Sequence, residues 1–379
     1  MSTVILSIFW VSVAVIAHTY VGYPLLLACL THRRLQAEQE GSLPTLDVLI
    51  AAYNEAECIG EKLRNSVALD YPTDKLTITV VTDGSTDATP DLVREMAGDS
   101  IRLMHQPDRR GKGAALARAL PHLQGEIVLF TDANCLLAPS TARQMVRHFA
   151  DSRVGGVSGA KRVRRRGCES DGESIYWRYE SWLKELDSRF GSVMGAPGEI
   201  WAARRAAYQA PPPDIVLDDF YASMDLVARG WRVEYEPEAL SFEEPSPSLG
   251  AEWERRTRNA AGGFQAVFRL KQVWRAGART AFQYVSHRVL RWIVTPALLA
   301  LLPVWTLLLL PQPQFLACLL LEALFALSAL AGWALASRGK STGWFTLPLQ
   351  VALLNASALA GGVRYLRGRT TVLWPRVRD

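Results

Sequence analysis

Hydrophobic and polar positions divide the chain into three stretches. Residues 4–30 and 293–366 are almost uncharged, whereas 31–290 mix charged and apolar positions as a soluble domain does. Within the middle stretch, short strand-like runs alternate with segments of helical spacing. Leu46–Ala52 is an apolar run bounded by polar residues, which predicts a strand buried on both faces. Glu57–Leu69 has helical spacing, Thr77–Thr82 is β-branched and Thr89–Met96 is helical. Ile101–His105 is a third short strand, Ala114–Leu123 a helix, Glu126–Thr131 a fourth strand and Ser140–Phe149 a helix. Strands alternating with helices predict the α/β class and a doubly wound sheet, whose ligands bind beyond the carboxyl ends of the strands.

The outer stretches predict membrane helices. Val4–Leu30 is long enough to cross ~30 Å of hydrocarbon, and it lacks the basic start and small-residue cleavage site of a signal peptide. The C-terminal region offers spans at about 293–311, 314–337 and 344–363. Before them, residues 271–292 interleave aromatic and basic side chains, which predicts an amphipathic helix lying in the interface, with His287 touching headgroups or backbone. The expected organisation is therefore a membrane helix at 1–31, a catalytic domain at 44–270, an interfacial helix at 271–292, membrane helices at 293–366 and a basic tail at 367–379. Thr31-His32-Arg33-Arg34 favours a cytoplasmic end there and an external N-terminus. Four crossings then put the tail outside, yet Arg364, Arg367, Arg369, Arg376 and Arg378 argue for inside. These signals oppose each other, and the sequence leaves the parity open.

Charge and cysteine usage narrow the setting. The net charge of +5 comes largely from arginines, some beside apolar stretches, which suits anionic headgroups better than a nucleic-acid groove. Arg162-Val163-Arg164-Arg165-Arg166 reads as a solvated or membrane-facing patch, or as a phosphate contact. The five cysteines (Cys29, Cys58, Cys135, Cys168, Cys318) form no CxxC pair, which argues against a zinc site or disulfide framework and for a reducing compartment.

Acidic residues fall where a doubly wound sheet would bind a ligand. Asn54-Glu55 follows the first strand, Asp83 the second and Asp132 the fourth. Asp83-Gly84-Ser85 is either turn chemistry or a contact to a base or ribose. Asp132-Ala133-Asn134 is either an Asx turn or a pair of oxygen donors for Mg²⁺ or Mn²⁺ bridging a diphosphate. Lys112, in Arg109-Arg110-Gly111-Lys112-Gly113, either sits in a plain turn or favours a phosphate at a helix N-terminus. Gly195 to Trp201 is either a packing turn or an acceptor surface, with Gly198 admitting a sugar ring close to backbone and Trp201 beside it. Asp218-Asp219 opens a helix; one carboxylate caps it, and a second is available as a general base. Arg255 and Arg258 share a helix face and either meet lipid or clamp a diphosphate.

Taken in order, these motifs resemble the membrane-bound family-2 glycosyltransferases with a GT-A catalytic fold, the group that contains cellulose, hyaluronan and poly-N-acetylglucosamine synthases. The resemblance covers about residues 45–270 and the flanking membrane layout. It implies that Ala52, Tyr53, Asn54, Glu55 and Asp83 hold the nucleotide. It further implies that Asp132 and Asn134 hold metal and diphosphate, and that Asp219 is the base of the Asp218-Asp219 pair. The family's Gln-x-x-Arg-Trp box matches Arg255–Asn259, with Arg255 for Gln and Asn259 for Trp. Processive relatives use that Trp in an acceptor platform.

The expected activity is inverting transfer of a sugar from a nucleotide-sugar, taken as UDP-linked, to a growing exopolysaccharide or envelope glycan. The expected place is a bacterial cytoplasmic membrane, with the catalytic domain on the cytoplasmic side. Membrane lipids and a polysaccharide export partner are expected, and nucleic acid is not. The alternatives are a single addition to a polyprenyl-phosphate or other lipid acceptor, a non-catalytic nucleotide-binding subunit and a transporter. Glu322 is the one clear acid inside a span that a transporter would use.

Overall fold

A computed structural model describes residues 2–31, 42–163 and 175–373. His32, Arg33, Arg34, Arg164–Arg166, Cys168, Arg376 and Arg378 lie outside the described residues. The chain divides into two compact units. One takes Met1–Leu30, Ser246–Phe268 and Phe282–Thr370; the other takes Thr31–Pro245, Arg269–Ala281 and Thr371–Asp379.

The second unit is built on one eight-stranded sheet. Its strands are β1 (Leu46–Ala52), β2 (Leu76–Asp83), β3 (Ile101–Gln106), β4 (Ile127–Asp132), β5 (Leu136–Leu137), β6 (Val154–Val163), β7 (Trp201–Arg204) and β8 (Arg232–Glu243). The order across the sheet is β3-β2-β1-β4-β7-β6-β8-β5. The first four are parallel and match the predicted strands to within two residues. Their apolar runs follow from burial on both faces. Val48, Leu49 and Ile50 are fully buried, each contributing about 1.5–3 kcal/mol of transfer free energy. Register aligns their carboxyl ends, pairing Ala52 with Thr82 and Ala51 with Asp132, so the acidic residues that follow converge on one edge.

The other half departs from a purely parallel, doubly wound sheet. β7 runs antiparallel between β4 and β6, β5 runs antiparallel to β8, and β6 and β8 are parallel. Their sequences hide this: β6 holds three glycines, β7 is four residues long with two alanines, and β8 contains Pro237 among alternating glutamates. None offers the β-branched run that marks β1 and β2.

Among the described residues, four helices are long and apolar enough to cross a membrane: Thr3–Leu30, Ala278–Leu309, Gln314–Ala336 and Gly343–Leu366. The helix of residues 278–292 continues through a π-helical segment, Val285–Val294, into the apolar stretch that follows. His287 is buried, its ring beside Tyr23, while Ser286 meets His18 at 3.1 Å and Thr295 meets Thr19 at 2.9 Å. The helix Leu249–Arg269 lies largely in the membrane-helix unit, where Arg256 donates to Gln350 at 2.7 Å and Arg364 pairs with Glu254. Glu322, between spans, accepts from Thr306 at 2.7 Å, a polar contact between helices.

Candidate active site

The loops after β1 and β2 are stitched together by side chains. Asn54 adopts a left-handed backbone (φ +54°), which Asn tolerates. Its amide accepts from the Thr86 N–H at 2.8 Å and donates to Thr86 Oγ1 at 3.3 Å. The Glu55 N–H donates to Thr89 Oγ1 at 2.8 Å, and the Ala56 N–H to Asp87 at 3.1 Å. Ala52 is buried at the end of β1, and the Arg109 guanidinium stacks over the Tyr53 ring at 3.6 Å. Asp83 is buried and accepts from the Arg110 N–H (3.0 and 3.1 Å) and the Gly111 N–H (2.6 Å). Its carboxylate therefore ties β2 to the 109–111 turn, whose next residue is Lys112.

Lys112 gathers the carboxylates. Its Nζ lies 2.6 Å from Asp132 Oδ1, in a pair whose side chains are only 15% and 21% exposed. Burial opposes its charge, but Asp132, Asp218 and Asp219 outweigh that and raise its pKa, so the ammonium persists. Asp218 and Asp219 begin the helix Asp218–Ala228 after an extended Leu217. Asp218 is buried, whereas Asp219 is half-buried and spends Oδ1 on the Phe220 N–H at 2.7 Å. Burial, then the neighbouring Asp218 charge, raises Asp219 to about 7 against the pull of Lys112. Burial likewise raises Asp218.

Two glycines let the 195–199 loop approach this cluster. Gly195 has φ +99°, and a Cβ there would strike the Phe220 ring at 2.2 Å. A Cβ on Gly198 would stand 2.8 Å from Asp219 Oδ2 and 2.9 Å from Lys112 Nζ. Asp132, Lys112, Asp219 and Gly198 thus come together although the chain separates them widely.

One acceptor residue is corrected. Trp201 is 2% exposed, stacked on Phe130 at 4.6 Å with 14° between the rings, and packed near Tyr208. It is a core aromatic of β7 and offers no face to a sugar. Arg255 and Arg258 belong to the membrane-helix unit; Arg255 pairs with Glu252 at 2.8 Å and Arg258 is buried.

Sequence reasoning missed two buried lysines. Lys62 is fully buried and donates to Thr131 Oγ1 and the Cys135 carbonyl, each at 2.8 Å, so it grips both sides of the Asp132–Asn134 turn. Burial lowers its pKa. A signal was present: Lys62 shares the face of Ile59, Leu63 and Ser66, at spacings where a charge must find partners. Lys161, 7% exposed, pairs with Glu199 and Glu243. It lies in the strand that composition hid.

The donor set at the turn suits a hard cation, since the Asp132 carboxylate and the Asn134 amide offer oxygen. No group of three His, Cys, Asp or Glu residues among those described could hold a metal unaided. Oxygens of a bound diphosphate would have to complete the shell.

The carboxyl ends of the parallel strands and the start of the 218–228 helix thus bring partly buried carboxylates around one ammonium. Residues 47–210 match the family model described as Glycosyl transferase family 2, and the chain therefore carries a family-2 glycosyltransferase domain with the GT-A fold. It is similar to the beta-monoglucosyldiacylglycerol synthase of Trichormus variabilis (strain ATCC 29413 / PCC 7937), 28% identical over 242 residues, covering 62% of this chain and 52% of the relative. It is also similar to the poly-beta-1,6-N-acetyl-D-glucosamine synthase of Staphylococcus aureus (strain COL), 28% identical over 235 residues, covering 60% and 56%. The chain thus spans about half the length of these curated relatives. Among solved structures it resembles the mannosyltransferase PcManGT from Pyrobaculum calidifontis in complex with GDP-Man and Mn²⁺. The TM-score is 0.76 at 26% identity, covering 96% of this chain and 99% of that one.

Proposed function

We propose that the protein transfers one sugar, with inversion, from a nucleotide-sugar to a hydroxyl of a lipid or lipid-linked acceptor at a cytoplasmic membrane. The observation that carries this reading is the half-buried Asp219 carboxylate beside Gly198 and Lys112, raised to about 7. A base with that pKa is ionised enough at neutral pH to work and basic enough to accept a proton. Asp219 takes the acceptor's proton as its oxygen bonds to the anomeric carbon. The bond from that carbon to the donor diphosphate breaks on the opposite face. Lys112 sits where negative charge grows on the departing diphosphate. Asp132 and Asn134 would hold a divalent cation, which supplies further charge neutralisation for that leaving group when bound. The 52–55 and 83 loops hold the nucleoside. The four apolar helices suit a lipid acceptor.

A polymerising reading remains the second choice because of the similarity to the poly-beta-1,6-N-acetyl-D-glucosamine synthase. Single addition is favoured because Asn259 replaces the platform Trp and Trp201 is buried. The test is incubation of the detergent-purified protein with radiolabelled UDP- and GDP-sugars, Mn²⁺ or Mg²⁺, and membrane lipid extract. A lipid product larger by one sugar is expected. A ladder of long products would replace this reading with the second, and absence of transfer from every donor would overturn both.

A further inference from the structure

The Asp132-Ala133-Asn134 turn ends in an amide, and an amide is an ambiguous partner for a cation. Its oxygen can bind one, whereas its NH₂ group repels it. In this structure Asn134 Nδ2 donates to Glu243 Oε1 at 3.3 Å. An ionised carboxylate only accepts, so this contact fixes Nδ2 toward Glu243 and leaves Oδ1 turned away. The sheet makes the contact systematic. β5 pairs antiparallel with β8, Leu136 opposite Phe242, so the residue after Phe242 arrives beside the turn that precedes Leu136. Glu243 is itself fixed by the buried Lys161, which also pairs with Glu199, the neighbour of Gly198.

We propose that Glu243 is a positioning residue that makes Asn134 a ligand for a divalent cation by accepting from Nδ2 and thereby aiming Oδ1. It rests on the metal-assisted reading given above. The chemistry required is an acceptor oxygen at position 243 facing an amide at 134. Glu243→Met removes that acceptor and lets Asn134 Nδ2 turn toward the cation. Glu243→Gln keeps an acceptor and loses only the charge. Asn134→Asp supplies two equivalent ligand oxygens and needs no orienting partner.

The experiment titrates Mn²⁺ into the full-length, detergent-purified protein with UDP or GDP present, reading free Mn²⁺ by electron paramagnetic resonance. Melting curves identify the folded variants. Glu243→Met should weaken Mn²⁺ binding about tenfold, the scale of losing a partner that orients a metal ligand. Glu243→Gln should stay within about threefold of the wild type, and in the Asn134→Asp background Glu243→Met should change the titration by less than about threefold. A role confined to the charge that balances Lys161 predicts that Glu243→Gln and Glu243→Met weaken binding equally. That result, or an unchanged Mn²⁺ titration in Glu243→Met, overturns the inference and leaves the metal reading standing. Failure of the wild-type chain to bind Mn²⁺ with either nucleotide would remove the metal reading and the inference together.

Discussion

The loops after β1 and β2 and the cluster around Lys112 are built from the same residue types at the same edge of the sheet, yet they are held differently. In the first, each polar group meets a partner of matched chemistry: Asp83 on backbone N–H groups, Asn54 on Thr86, Asp87 on Ala56 and Thr89. In the second, three carboxylates share one ammonium. Matched hydrogen bonds make a rigid frame, and unmatched buried charge makes a reactive one. Altering the frame should lower stability and weaken nucleotide binding while leaving the turnover number at saturating donor alone, whereas altering the cluster should lower that turnover number.

The largest effect is expected from Asp219→Asn, which removes the proposed base while keeping its shape. The turnover number should fall by about 10²–10⁴-fold, while binding of the nucleotide product, measured by calorimetry, stays near the wild-type value. Retained turnover would move the base elsewhere. Lys112→Met should cost about 10²–10³-fold through lost stabilisation of the leaving diphosphate. It should also shift the acidic limb of the pH–rate profile upward, because Lys112 pulls Asp219 down.

The same carboxylate predicts opposite pH trends for rate and stability. The folded state holds the Asp219 proton up to about 7, against an ordinary value of 3.8, so it binds that proton more tightly than the unfolded chain. The contribution of this group to stability is therefore fully present below 3.8 and is lost as pH rises toward about 7. Turnover should rise across the upper part of that range as the base ionises. Asp219→Asn should flatten its part of the melting-temperature trend and melt higher than the wild type at pH 8. A wild-type melting curve that gains stability across this window through Asp219 would contradict the assignment.

How far these regions could be read in the sequence follows the same division. The β1, β2 and β4 runs are apolar because both faces are buried, so strand positions and the acids after them were legible. Asp132 and Asp219 stood out by position and by pairing. The strands bearing Lys161 and Glu243 did not, because Gly155, Gly156, Gly159 and Pro237 erase the β pattern that tertiary packing then imposes. Trp201 was misread for a related reason. An aromatic after small residues suggests a sugar platform, and only the antiparallel seat of β7 against β4 puts its ring on Phe130. The burial of His287 was not legible because helix continuity through residues 285–294 depends on packing that polarity along the chain does not encode.

On the frame side, Asp83→Ala should leave the Arg110 and Gly111 N–H groups without their acceptor. The cost is about 2 kcal/mol, read as a lower melting temperature, with turnover at saturating donor close to that of the wild type. A turnover number that falls even at saturating donor would put Asp83 with the reacting cluster and break the contrast.

The smallest effect is expected at a partly exposed corner of the frame. Arg109 covers the Tyr53 ring at 3.6 Å, a contact worth about 0.5–1 kcal/mol at a partly exposed site. If a nucleobase stacks on Tyr53, the guanidinium must move aside first, so Arg109→Ala removes both a stabilising contact and a competitor. The variant should melt slightly lower and bind the nucleotide as well as the wild type or slightly better, measured by calorimetry. Weaker binding would instead make Arg109 part of the nucleotide contact, and this corner of the frame would then belong with Lys112 as a charge that meets the donor.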